Sequence, residues 1–308
     1  MKHYGIPYMG SKEKILYLIK YIFDREYKKK YLIDPFCGGF CVSAYALEHT
    51  KFKVLANDLN EYVIELYREI FFNQSKEFNK ICYDWISRER FFDVRNNPSN
   101  YPNWYVGYVL TIWSFGNNQK NYLFGKDVEE IKKQAHLYLM EHGYKENQSK
   151  RIELVKKFKN DKKIQDRFEL EQLERLQRLQ QLQRLQQLER LQRLQQLQRL
   201  QQLEHKDWFE FVQSIPEEIL ENSFIYCDPP YQNTTKYQKN EMDYDKFWDW
   251  FREFPYPVYV SSYSAPDDIK PLQSVEKRVL LSQKKEQRAK EHIYFNGKGE
   301  QELTLYDL

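Results

Sequence analysis

The sequence lacks the features that would place a protein in a membrane or outside the cell. It has no apolar run approaching the roughly 18 to 20 residues that a transmembrane helix needs. The amino-terminal stretch MKHYGIPYMGSKEK lacks the apolar core of a signal peptide. The four cysteines form no CxxC pair and no Cys/His cluster with zinc spacing. We therefore expect a soluble, cytoplasmic protein with reduced thiols, no membrane partner and no bound metal.

A large excess of charge of either sign is also missing, since 48 Lys and Arg stand against 45 Asp and Glu and the net charge is +3. The positive residues are nevertheless concentrated in a basic block at residues 145–163. The sequence also contains 25 Tyr and 20 Phe. Cations suit phosphates and aromatic rings suit unstacked bases, so this mixture fits a nucleic-acid partner. An AT-rich genome would give a similar composition, so composition alone leaves the choice open.

The alternation of helix and strand patterns indicates an α/β fold that is interrupted by an insertion. Residues 31–58 read as a strand, a glycine turn, a helix and a second strand, which is a βαβ unit. The alternation is lost in the middle of the chain and resumes after residue 206. We predict four segments: one half of an α/β domain at residues 1–74, an insert at 75–168, a leucine repeat at 169–205 and the second half of the α/β domain at 206–308.

The stretch FIYCDPPYQN at residues 224–233 carries the clearest chemical signal. Asp228 follows a strand that reads as buried, and open α/β sheets bind ligands at the carboxyl ends of their strands. The two prolines that come next, Pro229 and Pro230, fix the backbone and remove two N–H donors. A carboxylate, a bare carbonyl and the ring of Tyr231 then lie together on a rigid corner. A plain Pro-Pro turn is the alternative, and the strand before it and the glycine turn upstream favour a site.

This combination of groups suits a flat ring that carries an exocyclic amine. Asp228 accepts one N–H, the carbonyl of Pro229 accepts the other, and Tyr231 stacks on the ring face. The amine of adenine is a poor nucleophile, because its lone pair is delocalised into the ring. Two acceptors favour a more tetrahedral nitrogen whose lone pair points at an electrophile, which stabilises the transition state by preorganised groups.

The stretch YLIDPFCGGF at residues 31–40 predicts a cofactor site. Gly38 and Gly39 allow a tight turn and a close approach of the backbone to a ligand. Asp58 ends the next strand, 19 residues beyond Gly39. Dinucleotide folds place a ribose-binding acid about 20 residues after their glycines. Since the glycines do not form G-x-G-x-x-G, the stretch favours a nucleoside-containing cofactor other than NAD.

The most repetitive stretch, residues 173–202, is one fifteen-residue unit followed by an identical copy. Leucine falls at every third position from Leu170 to Leu203. On an α-helix successive leucines would drift by about 60°, so no single face is apolar and a heptad seam is excluded. Leu, Gln, Arg and Glu are strong helix formers, and we predict one long α-helix that projects from the body with only its ends packed. A tolerated spacer and a DNA-contacting or self-associating helix both stay open as roles.

The motifs PYMGSK, DPFCGG, NDLN, KDWFEF and YCDPPY follow one another along the chain. In this order they resemble the Dam-type DNA adenine-N6 methyltransferases, and more narrowly the phage and mobile-element branch of that class. The resemblance covers about residues 5–75 and 203–296 and is weaker between them. It implies a Rossmann-like class I methyltransferase sheet with an inserted, mainly helical target-recognition region. It also implies S-adenosylmethionine as the cofactor and double-stranded DNA as the partner.

The resemblance gives individual residues a role. Asp228, Pro229, Pro230 and Tyr231 match the catalytic motif. Asp58 matches the acid that binds the ribose of the cofactor. The remaining cofactor-binding residues that the resemblance implies are Tyr8, Gly10 and Lys12 in the amino-terminal segment, Asp34, Phe36, Cys37, Gly38 and Gly39 around the methionine part, and Asp207 and Trp208 at the adenine ring.

The sequence departs from the pattern of the class at two places. Phe40 stands where the usual F-x-G-x-G has its second glycine, which leaves the geometry of that turn open. The insert lacks the Arg- and Asn-bearing hairpin of the GATC-specific enzymes, so GATC is not carried over.

Methylation of a paired adenine requires that the base be flipped out of the duplex. The insert would then read the neighbouring bases, because Asn and Gln suit adenine edges and Lys suits guanine or phosphate. A solvated hairpin turn is the structural alternative for the polar run in the insert. The candidate DNA-binding residues in that run are Asn117, Asn118, Gln119 and Lys120.

We predict a site-specific DNA methyltransferase that acts on N6 of adenine. Cytosine-N4 methylation uses the same geometry, but enzymes of that type usually carry Ser where Asp228 stands. RNA adenine methyltransferases usually carry Asn there, and an inactive DNA-binding relative is disfavoured by the intact Asp228 and Asp58. The recognition sequence, the oligomeric state and a restriction endonuclease partner stay open.

Overall fold

The computed structural model describes residues 4–145, 147–169, 172–173, 180–194, 198–230, 242–282 and 285–299. The chain divides into two compact units. The first comprises Met1–Gly5, Ser11–Asn60 and Leu194–Leu308, and the second comprises Ile6–Gly10 and Glu61–Arg193. None of the helices in the described ranges is both long and apolar enough to cross a bilayer.

The described residues of the first unit form one sheet of seven strands. In chain order the strands are β1 (Tyr31–Asp34), β2 (Lys53–Asn57), β3 (Leu200–Glu204), β4 (Ser223–Cys227), β5 (Val258–Ser262), β6 (Pro271–Ser282) and β7 (Lys285–Phe295). They lie side by side in the order β3-β2-β1-β4-β5-β7-β6. Neighbours from β3 to β5 are parallel, and β7 is antiparallel to both β5 and β6. The strand order reverses between β1 and β4, the point at which open α/β sheets bind ligands.

Helices flank this sheet and make up most of the second unit. They are α1 (Leu16–Arg25), α2 (Cys41–His49), α3 (Glu61–Arg68), α4 (Lys76–Ile81), α5 (Arg88–Asn96), α6 (Asn103–Ile112), α7 (Lys126–Glu141), α8 (Arg151–Asn160), α9 (Lys162–Arg167), α10 (Gln180–Leu194), α11 (Trp208–Gln213), α12 (Glu217–Leu220) and α13 (Tyr244–Glu253). The α/β class with a Rossmann-like sheet and a mainly helical insert is therefore as predicted.

Apolar patterning explains how these elements pack. The central strands β1, β4 and β5 are almost entirely buried, as expected for parallel strands covered on both faces. Helix α13 buries Phe247, Trp248 and Phe251 in the same core. In the second unit α3 and α6 approach closely at Gly107, where a Cβ atom would collide with the carbonyl oxygen of Tyr62.

The compact units begin and end at other residues than the four predicted segments. Helix α3 belongs to the second unit although it lies within residues 1–74, and almost all of α10 belongs there as well. Strand β3 lies within residues 169–205 and belongs to the first unit. The functional roles given to the four segments stay predictions.

The prediction of one helix through the whole leucine repeat is wrong. Helix α10 covers Gln180–Leu194, and Leu200–Glu204 forms β3 instead. Strand β3 pairs with β2, with Leu200 opposite Val54 and Leu203 opposite Ala56. One extra residue on β3 makes a bulge between these pairs, so leucines that are three positions apart face partners that are two apart. Residues 170–171, 174–179 and 195–197 of the repeat lie outside the described residues.

The prediction that the helix packs only at its ends is also wrong. Leu188, Leu191 and Leu194 are all buried. Three successive leucines on a helix span about 120°, which is a stripe wide enough to face a core. The even spread round the helix develops only over a longer run than α10 contains.

Candidate active site

The DPP corner lies at the carboxyl end of β4, between the two strands that pair with it, β1 and β5. Asp228 is partly exposed, Pro229 is buried and Pro230 is exposed. The carbonyl of Pro230 accepts a hydrogen bond from the hydroxyl of Tyr244, the first residue of α13. The neighbouring carbonyl, that of Pro229, is the one that the sequence assigns to an amine. Tyr231, the last residue of the predicted catalytic motif, lies outside the described residues.

Two donors hold the carboxylate of Asp228. The ammonium of Lys12 lies 2.7 Å from Oδ1 of Asp228. The hydroxyl of Ser261, on β5, donates to the same oxygen at 3.1 Å. Burial raises the pKa of Asp228, whereas the attraction and the hydrogen bond of Lys12 lower it. Sequence reasoning placed Lys12 with the cofactor, and the structure brings it to the predicted catalytic acid.

The glycine turn after β1 is closed by contacts from both sides. The backbone N–H of Gly38 donates to Oδ2 of Asp58 at 2.8 Å. The backbone N–H of Cys37 donates to the carbonyl of Asn57 at 2.8 Å. On the amino-terminal side, a Cβ atom at Gly5 would collide with the carbonyl oxygen of Gly39, so that position needs glycine. The turn and the acid that the sequence paired are therefore in direct contact.

Phe40 takes the backbone conformation that a second glycine would supply in the usual pattern. Its φ is 61° and its ψ is 22°, in the left-handed region, and it forms the N-cap of α2. A left-handed conformation is uncommon for a bulky residue and persists only where the surroundings enforce it. The side chain of Phe40 is fully buried, which offsets the strain. The departure at Phe40 thus leaves the turn formed.

Acidic side chains lie at the carboxyl ends of three neighbouring strands. Asp34 ends β1, Asp58 follows β2 and Asp228 follows β4. Burial, together with the charges of Asp228 and Asp58, raises the pKa of Asp34 to about 7, although the hydrogen bond from Ser43 opposes this. Burial also raises the pKa of Asp58, while the backbone N–H groups of Asn60 and Gly38 oppose this. These acids give the edge negative charge, which favours a cation.

The pair Asp207 and Trp208 begins α11. Asp207 is exposed and caps the helix, because its side chain accepts from the backbone N–H of Phe209. Trp208 is buried, and its ring stacks on Phe36 with the ring centroids 6.2 Å apart. The structure thus brings two of the predicted cofactor residues, Phe36 and Trp208, into one aromatic cluster next to the glycine turn.

Two further residues that the sequence assigns to the cofactor lie in the second unit. Tyr8 and Gly10 belong to its segment Ile6–Gly10, and Gly10 has a positive φ of 80°.

The candidate DNA-reading run lies on a loop that closes on itself. An isolated bridge joins Ser114 to Tyr122. Oδ1 of Asn118 accepts from the backbone N–H groups of Lys120 and Asn121, and Oδ1 of Asn117 accepts from Arg184. The side-chain oxygen of Asn118 therefore holds the loop together, as in the hairpin-turn alternative, and that of Asn117 ties the loop to α10. Lys120 is exposed.

Three further polar residues lie around this edge; sequence reasoning singled out neither Asn57 nor Glu291, and it considered Ser261 only as part of YVSSYSAP, a stretch that either lines the adenine site or is a plain loop. Asn57 donates to the carbonyls of Pro35 and Lys206 and accepts from the N–H of Lys206, so it ties two loops together. Ser261 and Glu291 contact the pair formed by Lys12 and Asp228. Asn57 stands next to the ribose acid in NDLN, and the run of serines in YVSSYS ends β5, so these two had a signal. Glu291 had none, because it is one acid in a highly charged stretch.

Comparison with known families agrees with this geometry. The family model described as D12 class N6 adenine-specific DNA methyltransferase matches residues 8–254. That range includes the amino-terminal segment, the glycine turn, the acidic edge and the DPP corner. The substrate of the family is adenine in DNA, which is the substrate that the sequence predicts. The chain therefore belongs to the D12 class of N6 adenine-specific DNA methyltransferases, enzymes that methylate N6 of adenine in DNA.

Proposed function

We propose that the carboxyl edge of β1, β2 and β4 is where S-adenosylmethionine and a flipped-out adenine meet, with Asp228 as the catalytic acceptor. The observation that carries this proposal is the placement of Asp228 on a proline-fixed corner, with its Oδ1 held by Lys12 and Ser261. A catalytic group that is fixed before the substrate arrives stabilises the transition state without reorganising.

The charge of the acidic edge supports S-adenosylmethionine as the cofactor. The sulfonium and the amino group outweigh the single carboxylate of this molecule, so it is a cation. Asp34, Asp58 and Asp228 present negative charge at adjoining strand ends. A bound cation there lowers the pKa of Asp34 and favours its ionised form. When bound, S-adenosylmethionine supplies an electrophilic methyl group.

Each part of the pocket has a proposed task. Asp58 would hold the ribose hydroxyls, since each carboxylate oxygen that accepts one backbone N–H retains a second lone pair. Asp207 and Trp208 would hold the adenine ring of the cofactor, and Phe36, which stacks on Trp208, would lie at the methionine part. The remaining proposed cofactor contacts are Asp34, Cys37, Gly38 and Gly39 on the glycine turn, and Tyr8, Gly10 and Lys12 in the amino-terminal segment.

The proposed mechanism needs Asp228 in its ionised form. The carboxylate accepts one N–H of the adenine amine, and the carbonyl of Pro229 accepts the other. The nitrogen lone pair then leaves the plane of the ring. Transfer of the methyl group to N6 would require N6 to lose a proton, and Asp228, which would accept one N–H of the amine, would take it up. Burial raises the pKa of Asp228, and Lys12 opposes this by favouring the ionised carboxylate.

Two features support double-stranded DNA as the partner. The insert carries the exposed Lys120 on its closed loop. Helices α8 and α9, in the basic block, present Lys156, Lys157 and Lys162 to solvent, where they can meet phosphates. Flipping of the target base, with Tyr231 stacked on it, is part of the proposal. Among the four polar candidates, Gln119 and Lys120 are favoured for base contacts, because the side-chain oxygens of Asn117 and Asn118 already accept hydrogen bonds, from Arg184 and from the loop backbone.

The proposal is tested by the identity of the product. Duplex DNA and RNA are incubated separately with the full-length protein and labelled S-adenosylmethionine, and the nucleosides are then separated. We expect N6-methyladenine from duplex DNA and no label in RNA. Label in cytosine or in RNA would contradict the proposal. A boiled sample and a sample without the protein serve as controls.

A further inference from the structure

A fully buried carboxylate, Glu291, lies beside the catalytic pair and has no part in the reaction as proposed above. Its side chain is 0 % exposed, and its Oε1 lies 3.3 Å from the ammonium of Lys12. The same ammonium contacts Asp228, and the Lys12 side chain is only 3 % exposed. One buried cation therefore joins a carboxylate on β7 to the carboxylate at the end of β4.

Burial of a second carboxylate at this point calls for a reason. A charge taken out of water costs several kcal/mol unless it is paired. Lys12 could pair with Asp228 without a second carboxylate beside it, so the ion pair of Asp228 does not explain why Glu291 is buried there. Glu291 lies on a strand that is fixed on both sides, with Val275 of β6 opposite it and its neighbour His292 opposite Ser262 of β5. A flexible lysine side chain that is held from such a strand keeps one position.

We propose that Glu291 is a positioning residue for methyl transfer: it holds the Lys12 ammonium at the place from which Lys12 orients Asp228. This inference rests on the proposed catalytic role of Asp228. Lys12 and Ser261 both contact Oδ1 of Asp228, and together they fix the rotation of the carboxyl group. Oδ2 is then the oxygen that meets the amine. Without Glu291 the ammonium can shift, and the carboxylate can rotate with it.

The charges around Asp228 make the proposed role of Glu291 detectable in the pH dependence of the rate. Burial lowers the pKa of Lys12, but Asp228 and Glu291 outweigh it and the pKa is raised, so Lys12 stays protonated. For Asp228, burial and the charge of Glu291 raise the pKa, whereas Lys12 and the hydroxyl of Ser261 lower it. Removal of the Glu291 charge therefore lowers the pKa of Asp228. Among the described residues, the titratable and charged groups that act on Asp228 or are acted on by it are Lys12, Asp34, Asp58, Tyr226, Cys227, Tyr263 and Glu291.

The sign of the pH effect follows from the need for an ionised Asp228. Turnover is lost as the pH falls through the pKa of this acid. A lower pKa in the Glu291→Gln variant moves the acid limb of the pH–rate profile to lower pH. Loss of the cation in Lys12→Met moves the same limb to higher pH. A residue with a merely structural role would lower the amount of folded enzyme without moving the limb.

The experiment compares full-length Glu291→Gln and Glu291→Asp with the wild type. Turnover on duplex DNA, KM for S-adenosylmethionine, cofactor binding by equilibrium dialysis and the pH–rate profile are measured for each. We expect Glu291→Gln to bind cofactor normally, to lose roughly tenfold or more in kcat through misplacement of Asp228, and to show the acid limb at lower pH. Glu291→Asp keeps the charge, so its limb stays in place and part of the rate returns. Glu276→Gln, the same change on an exposed position of β6, is the matched control and should behave as wild type.

Wild-type kcat in Glu291→Gln with an unmoved acid limb would overturn the inference. If that variant is recovered unfolded, Glu291→Asp decides: a shortened carboxylate that leaves kcat at the wild-type value contradicts the positioning role. The Asp228→Asn variant separates this inference from the proposed function. Normal turnover by Asp228→Asn sinks both, whereas an inactive Asp228→Asn beside a fully active Glu291→Gln sinks the role of Glu291 alone.

Discussion

The last residues of the fifteen-residue repeat have the same sequence in both copies and different structures where both copies are described. The octapeptide QQLQRLQQ occurs at residues 180–187 and again at 195–202. The first copy is helical throughout, within α10. In the second copy Gln198 has a positive φ of 48°, and Leu200 begins the edge strand β3. Propensity is equal in the two places, so contacts with the rest of the fold decide the conformation.

The same arginine of the repeat nevertheless does the same work in both copies. Arg184 donates to the carbonyls of Ile112 and Ser114, at the carboxyl end of α6. Its counterpart, Arg199, donates to the carbonyls of Leu47 and Thr50, at the carboxyl end of α2. The last carbonyls of a helix lack partners within it, and a cation there also offsets the helix dipole. The arginine side chain therefore makes equivalent hydrogen bonds in both copies, although the backbone conformation differs.

Proline at matched positions should give the largest difference in stability between the two copies. Gln187 lies inside α10 and Gln202 occupies the equivalent position on β3. Gln187→Pro removes a helical hydrogen bond and clashes with the preceding turn, which costs roughly 3 kcal/mol or more. Gln202→Pro is on an edge strand, where proline removes at most one ladder bond, at about 1 kcal/mol.

Chemical denaturation of the full chain measures both proline variants. Gln187→Ala and Gln202→Ala are the controls for loss of the side chain. Equal losses of stability in the two proline variants would mean that the copies share one conformation.

Substitution of the equivalent arginines should give a smaller difference in stability between the two copies. Arg184 is buried, and burial lowers the pKa of its guanidinium to about 10, so it depends on its acceptors. Arg184→Ala leaves buried carbonyls without a donor and should cost about 2 to 3 kcal/mol. Arg199 is only half-buried, so Arg199→Ala should cost about 1 kcal/mol.

The control for both arginines is Arg193→Ala, at an exposed position of α10, which should leave stability unchanged. Thermal melting of the three variants ranks them. A larger loss of stability in Arg199→Ala than in Arg184→Ala would contradict the inference that the buried arginine contributes more. Arg184→Ala is also expected to weaken DNA binding, because Arg184 contacts Asn117 in the candidate reading loop.

The sequence predicts the parts of the site whose signals are local. The strand, turn and helix around Gly38 follow from periodicity and glycine content, and the spacing to Asp58 predicts a contact that the structure contains. The DPP corner follows from two prolines after an apolar strand. In the repeat, the helix propensity of Leu, Gln, Arg and Glu predicts the helix of Gln180–Leu194 and fails at β3, where a bulge converts a spacing of three into a spacing of two.

Contacts between distant parts of the chain are what the sequence does not predict. Lys12, Asp228, Ser261 and Glu291 meet because β7 inserts between β5 and β6, and no local pattern encodes that pairing. The left-handed Phe40 is likewise enforced by its burial rather than by its residue type. Tertiary context therefore supplies both the charge cluster at the catalytic acid and the second structure of the repeat.

In the proposed mechanism Asp228 carries the transfer while other residues bind the cofactor. The most direct measurement is the Asp228→Asn variant, which keeps the shape of the side chain and removes its charge, assayed side by side for cofactor binding and for methyl transfer to duplex DNA. We expect cofactor binding close to that of the wild type and a loss of at least about a hundredfold in kcat. Turnover at the wild-type rate by this variant would contradict the claim.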